Sequence, residues 1–448
     1  MQSIFRSFVV FLTLALPLSA YAHNRVVVVP MSGDDIEPLS NIVTVAKRNG
    51  DFSNPLAAMA SITDASASNP YLIVIAPGVY NLGGQLVMKE FVNIAGSGKE
   101  VTTLTGSVSS TSAETSALVI AADNVSIEDV KIDNTGTGGV FSSAIFSDGS
   151  NINLSNVELD ATNGTATAIL GNNGCRYQLN DVEINMLRRS TTEKVGIRLE
   201  RCTINMQGGS VTLRDEDDSI NTNDVTGVYL DRSSDAAISN VDMTLDGGNS
   251  QSDQVIGFRI FGIAFGQAVV PLIRISDVNL EMNSSGSAFG MRVDSDGGAS
   301  MAIDSMHIEI FSSAGGQGYS LSNMNTTISN SSIFVSGGEG VIRGISGLPN
   351  SRSGIGRISV VSTNVFLIDR ESVGIENRGT ASSQPMIVRD SHIRADTSIQ
   401  AQGIASTNRT YVSDSIISGD VVGEPLCDFV FTTDGERLDN VCDVPQVQ

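Results

Sequence analysis

Residues 154–159 read LSNVEL, residues 238–243 read ISNVDM and residues 275–280 read ISDVNL. Each is apolar, Ser/Asn/Glu, Asn/Asp, small or Val, any residue, apolar. Further copies are IEDVKI at 127–132, LNDVEI at 179–184, IDSMHI at 303–308, ISNSSI at 328–333, VRDSHI at 388–393 and VSDSII at 412–417, with looser forms starting at Leu199 and Val361. A second motif (Gly or Ala, apolar, any, apolar) precedes most copies. It starts at Ala117, Ala144, Ala168, Gly196, Gly227, Gly257, Gly290, Gly318, Gly344, Gly374 and Gly403, at intervals of 24 to 33 residues. Two short strands at a fixed offset, recurring every coil, describe a β-solenoid. The spacing is too short for propeller blades, and the helical period is absent. The expected fold is all-β: a right-handed parallel β-helix of about eleven to thirteen coils.

Within each coil, alternate apolar residues such as Ile238, Val241 and Met243 should point inward. The third-position residue (Asp129, Asn156, Asp181, Asn240, Asp277, Asn330, Asp390, Asp414) falls where the strand must bend. Asn and Asp tolerate left-handed backbone there and can bond locally. A solenoid end needs a cap. Residues 55–65 (PLAAMASITDA), preceded by Ser53 and Asn54, predict a short capping helix.

The first 22 residues carry one charge, Arg6, then an apolar run and Ala20-Tyr21-Ala22 before His23. This reads as a secretory signal peptide, so the expected location is periplasmic or extracellular, with no membrane insertion of the mature chain. The organisation read from sequence is 1–22 signal peptide, 23–110 capping helix and first coils, 111–420 repeat body and 421–448 C-terminal cap. The formal net charge of −22 sets the chain against nucleic acid and anionic lipid.

The opening segments resemble a known family. They are IVTVAKRNGDFSNPLAAMASI at 42–62, YLIVIAPGVYNL at 71–82 and VNIAGSGKEVTTLTG at 92–106. They are similar to the start of pectin methylesterase-type proteins, within the pectin-lyase-like superfamily of parallel β-helices. The resemblance implies a β-helix acting on, or binding, polysaccharide. The catalytic part of the pattern is missing. No Gly-Gln-Asp motif occurs, and Asp428-Phe429-Val430-Phe431 lies beyond the last coil. Asn221-Thr222-Asn223-Asp224 and Asp217-Asp218 echo polygalacturonase motifs without the accompanying His.

Chemistry-bearing residues then come from stacking. Outward positions of the glycine-led strand align coil over coil as Arg198, Tyr229, Arg259 and Arg292, and two residues on as Glu200, Asp231, Phe261 and Asp294. These are ligand-binding candidates for a polysaccharide or cell-surface glycan. Paired carboxylates among them also admit glycosidic hydrolysis, and a solvated ion-paired face is the plain alternative. Asp215, Asp217, Asp218 and Asp224 form the densest acidic cluster, a candidate Ca²⁺ site by its hard oxygens; no other cofactor is expected. Glu158, Glu183 and Asp242 head an acidic column on the other motif, and His307 and His392 read as surface residues. Export allows disulfides. Cys175 and Cys202 occupy nearly the same place on adjacent coils, so they are expected to pair, with two buried free thiols as the alternative. Cys427 and Cys442 should pair in the cap. The function read from sequence is a non-catalytic glycan- or surface-binding β-helix, with a polysaccharide-acting enzyme or a structural envelope protein as alternatives.

Overall fold

The computed structural model describes residues 41–136, 140–162, 164–187, 193–214, 224–232, 235–248, 254–262, 271–294, 300–322, 324–348, 356–368, 371–379, 384–401 and 409–443. The signal-peptide reading, the acidic residues Asp215, Asp217 and Asp218, and Gly403 lie outside them. By packing, residues 1–38 and 39–448 separate into two units. The second is a parallel β-solenoid.

Every strand pairs in parallel with its equivalent one coil on. Asn151–Ala161 pairs with Val125–Asn134 on one side and Arg176–Met186 on the other, and Leu154 registers with Ile127 and Leu179. The long strands bend in the middle. Asp129, Asn156, Asp181, Asn240, Asp277, Asn330, Asp390 and Asp414 all take φ between 48° and 55°. Their amides and carboxylates bond from coil to coil where they can: Asn156 Nδ2 donates to Asp129 Oδ1 at 2.6 Å. The expected ladder is therefore present, and it extends to Ser305, Ser362 and Gly208, at φ 53°, 49° and 72°. Two of these, Gly208 and Ser362, correct the looser repeats. With bends at Gly208 and Ser362, the weak copies begin at Met206 and Val360, not at Leu199 and Val361.

Ile238, Val241 and Met243 are buried in a core that runs through all coils. Burial in this interior, at roughly 1.5–3 kcal/mol per large apolar side chain, is the main stabilising term. The helix spans Pro55–Ser61, shorter than expected because Ile62 turns extended. The Asn54 side chain accepts from the Leu56 N–H, and Pro55, Ala58 and Met59 are buried. It packs on Asn41–Val45, Tyr71–Ile75 and Leu86–Val87. Among the described residues no helix is long and apolar enough to cross a membrane.

Glycines set the spacing of the glycine-led strands. A Cβ on Gly196, Gly227, Gly257, Gly290, Gly318 or Gly344 would meet the carbonyl oxygen of the next glycine at 2.4–2.7 Å. The column continues from Gly374 to Ser398, not to Gly403, because Ile375 registers with Ile399. Both expected disulfides form. Cys175–Cys202 joins adjacent coils at a Cα separation of 4.7 Å, and Cys427–Cys442 closes the C-terminal segment at 5.2 Å.

Candidate functional site

The glycine-led strands carry the site. In Glu193–Glu200 the side chains of Lys194, Ile197 and Leu199 are buried, while Arg198 and Glu200 stay half-exposed. Register then stacks the outward residues: Arg198 on Tyr229, Tyr229 on Arg259, Arg259 on Arg292. The neighbouring column runs Glu200, Asp231, Phe261 and Asp294 by the same pairings. Both columns are thus contiguous.

Tyr229 lies between two guanidinium groups, with Arg198 5.1 Å and Arg259 5.0 Å from its ring centroid. Arg292 sits 5.4 Å from the Phe289 ring. Its Nε donates to Asp294 at 3.0 Å and another guanidinium nitrogen donates to Gln254 at 3.2 Å. Such cation–π contacts contribute about 0.5–2 kcal/mol each, the more so when partly desolvated. Only 8 % of Tyr229 is exposed. Burial, together with the Asp231 charge, pushes its hydroxyl pKa up.

Glu193 also belongs to this cluster, which the strand alternation did not reveal. Its carboxylate lies 3.9 Å from Arg198. Burial raises its pKa, opposed by Arg198.

Glu200 and Asp231 register on adjacent coils but sit in different surroundings. Glu200 accepts from Arg201 at 2.9 Å and from Arg232 at 2.6 Å. The hydrogen bond from Arg201, aided by Arg232, holds its carboxyl below the usual range. Burial pushes Asp231 up, opposed by Arg232. Arg201 and Arg232 hold φ of 55° and 50°, a left-handed position that Asn173 and Gly262 fill on flanking coils. Arginine in that conformation stores strain of order 1–3 kcal/mol.

Beyond the arginines, the same column is apolar at one end, with Leu170 and Phe146 buried against Ala113 and Ala117. At the other it reaches Ser320, Ser346 and Glu376. Glu376 is fully buried and matched by Arg343 at 2.8 Å, Arg378 at 2.7 Å and the Ser346 hydroxyl at 2.6 Å.

Of the acidic cluster only Asp224 is described. It registers with Glu193 and accepts the Gln254 N–H at 3.1 Å. Among the described residues no group of three or more His, Cys, Asp or Glu is placed to hold a metal ion. The acidic column of the other motif is partly ion-paired, Glu183 with Lys99 at 2.8 Å and Glu158 with Lys131 at 2.7 Å.

Continuous parallel coils with an Asn/Asp bend and a glycine-spaced strand make the chain a parallel β-helix. Within that class, residues 39–256 match the family model described as rhamnogalacturonase A/epimerase, pectate lyase-like. The match includes Arg198 and Tyr229 and stops before Arg259. No curated protein sequence matches the chain. Among solved structures, the A-module of mannuronan C-5 epimerase from Azotobacter vinelandii is 13% identical. It aligns over 85% of this chain and 96% of its own, with TM-score 0.39. Pectin methylesterase from carrot is 14% identical over 61% and 84% of the two chains, TM-score 0.35. Pectin methylesterase from Erwinia chrysanthemi is 12% identical over 55% and 80%, TM-score 0.35.

Proposed function

We propose that this protein is exported and binds acidic glycan chains on the face of its glycine-led strands, through Arg198, Tyr229, Arg259 and Arg292. The observation that carries this reading is the Tyr229 ring held between two guanidinium groups, with a third arginine next in register. A sugar carboxylate accepts paired N–H bonds from a guanidinium, and the exposed Phe261 ring of the neighbouring column offers an apolar surface to the sugar ring. Three stacked arginines stand out in a chain of net charge −22. The two disulfides support export.

One observation favours a second reading, a polysaccharide-acting enzyme. Glu200 and Asp231 are neighbours whose surroundings push their pKa values apart. Two neighbouring carboxylates whose pKa values are pushed in opposite directions are the kind of pairing that glycosidic cleavage uses.

Isothermal titration with polygalacturonate tests the binding role. The Arg259→Ala/Arg292→Ala double variant should lose binding while keeping the β-sheet circular dichroism of the parent; the two cation–π contacts it removes should cost about 1–4 kcal/mol of stability. Undiminished binding in that variant sinks the site. Reducing-end and unsaturated-product assays over pectin, alginate and rhamnogalacturonan should detect no product. Product that disappears in Asp231→Asn would establish the enzyme reading instead.

A further inference from the structure

The half-strands after the bend build another outward face, on a different ladder from the arginine column. Its early coils carry Lys131, Glu158 and Glu183 in register. The column continues through Asp242, Asn279 and His307 to Ser332, Asn364 and His392. The adjacent column changes character more sharply: Glu309 is followed by Phe334, Phe366 and Arg394. Phe311 stands in the next column, followed by Ser336 and Ile368.

Rings therefore accumulate over a few successive coils. Phe311 and Phe334 lie 5.8 Å apart between centroids, and Phe366 meets His392 edge-on at 5.1 Å. Phe311 is 40 % exposed and Ile368 61 %. The strands Ser332–Gly337 and Asn364–Ile368 contain no charged residue. Beside Phe311 opens a groove of ≈ 490 Å³ whose lining includes Asp246, Asn283, Ser285, Ser336 and Gly338.

We propose that this strip is a second carbohydrate site, which takes a neutral oligosaccharide. Its composition selects the ligand. Flat apolar rings interleaved with hydroxyl, amide and carboxylate groups match a molecule that is apolar on one face and hydroxylated at its edge, as a pyranose is. Exposed apolar patches rimmed by polar groups mark binding surfaces. Uncharged strands in a net-acidic chain do not attract a polyanion, so the fitting chain is neutral. Ring-bearing coils are stacked ~4.8 Å apart, which lets a glycan running along the stack present about one sugar per coil. A second copy of the protein fits poorly. Four coils by three columns cover roughly 250 Å², against about 800 Å² per partner in a stable interface.

The sequence has no tryptophan, so Phe366→Trp places a single reporter on the strip while keeping a ring there. Titrated with cellohexaose, mannohexaose, laminarihexaose and xylohexaose, its emission should change saturably with at least one. Adding Phe311→Ser should weaken that binding about tenfold, the loss of one stacking contact. Polygalacturonate binding by the Phe311→Ser variant should stay as in the parent, because the arginine column is untouched. No response to any of the four sugars overturns the proposal, as does unchanged affinity in Phe311→Ser. So does sedimentation showing a dimer that Phe311→Ser dissociates, which would assign the strip to a second copy of the chain.

Discussion

Glu193 and Arg198 lie five positions apart in one strand, an odd spacing that should put them on opposite faces, yet their charged groups stand 3.9 Å apart. The glycine between them is the reason. Pairing runs from Val195–Thr226 directly to Ile197–Val228 and leaves Gly196 unbridged. The alternation is interrupted there, and the two ends of the strand regain a common face. This places a carboxylate under the arginines in a half-desolvated setting. Its raised pKa fixes a sign. Below the ordinary value of 4.5 the carboxyl is neutral in both folded and unfolded chains, and burial costs nothing extra. As pH rises through the higher folded value, the folded state must ionise a buried group, and that stability is lost. Glu193→Gln should therefore melt higher than the parent near about pH 7, with the difference closing toward about pH 4. Melting curves across that range check it; a variant that melts lower than the parent near about pH 7 would mean the Arg198 contact outweighs burial.

At the scale of the element, the repeat was legible in the sequence because one chemical demand recurs in each coil. The bend needs left-handed backbone, so Asn or Asp marks it at Asn156, Asn240 and Asp277. Where another residue meets the same demand the motif blurs, as at Gly208 and Ser362, and a reading by residue type slips register. The same holds where Ser398 takes a glycine place in the spacing column. The arginine column was legible for the same reason, since stacking at constant register turns repeat phase into spatial neighbours. The strip of Phe311, Phe334 and Phe366 was not: each keeps a fixed offset from its bend, but past the six-residue motif the residue type changes from coil to coil, and the copy read at Val361 is one residue out of phase. Glycine spacing makes a sharp prediction. A methyl group on Gly257 would meet the Gly290 carbonyl at 2.4 Å and Leu280 at 2.5 Å. Gly257→Ala should cost about 1–3 kcal/mol as overpacking, measured by urea unfolding. A loss smaller than about 0.5 kcal/mol would mean the coils can part to admit a side chain.

Across the whole molecule the sign of the charge matters more than any single contact. The chain carries a formal −22, while the proposed acidic-glycan site sets three arginines, Arg198, Arg259 and Arg292, in register among carboxylates of its own. A polyuronate approaching from solution first meets the repulsive field of the molecule. That field reaches about 30 Å at 0.01 M salt and about 10 Å at 0.1 M. The arginine contacts act at close range and are half-shielded from solvent, so they are screened less. Salt should then act on approach before it acts on the bound state. We expect the association rate of polygalacturonate to rise as salt increases from about 0.02 M to about 0.15 M, opposite to the slope of a basic polyanion binder. The dissociation rate should rise more slowly over the same interval. A neutral hexasaccharide on the Phe311 strip feels neither field, so its rates should be flat. Stopped-flow measurements on both ligands separate the cases. An association rate for polygalacturonate that falls with salt from the start would show that the arginines, and not the net charge, govern encounter.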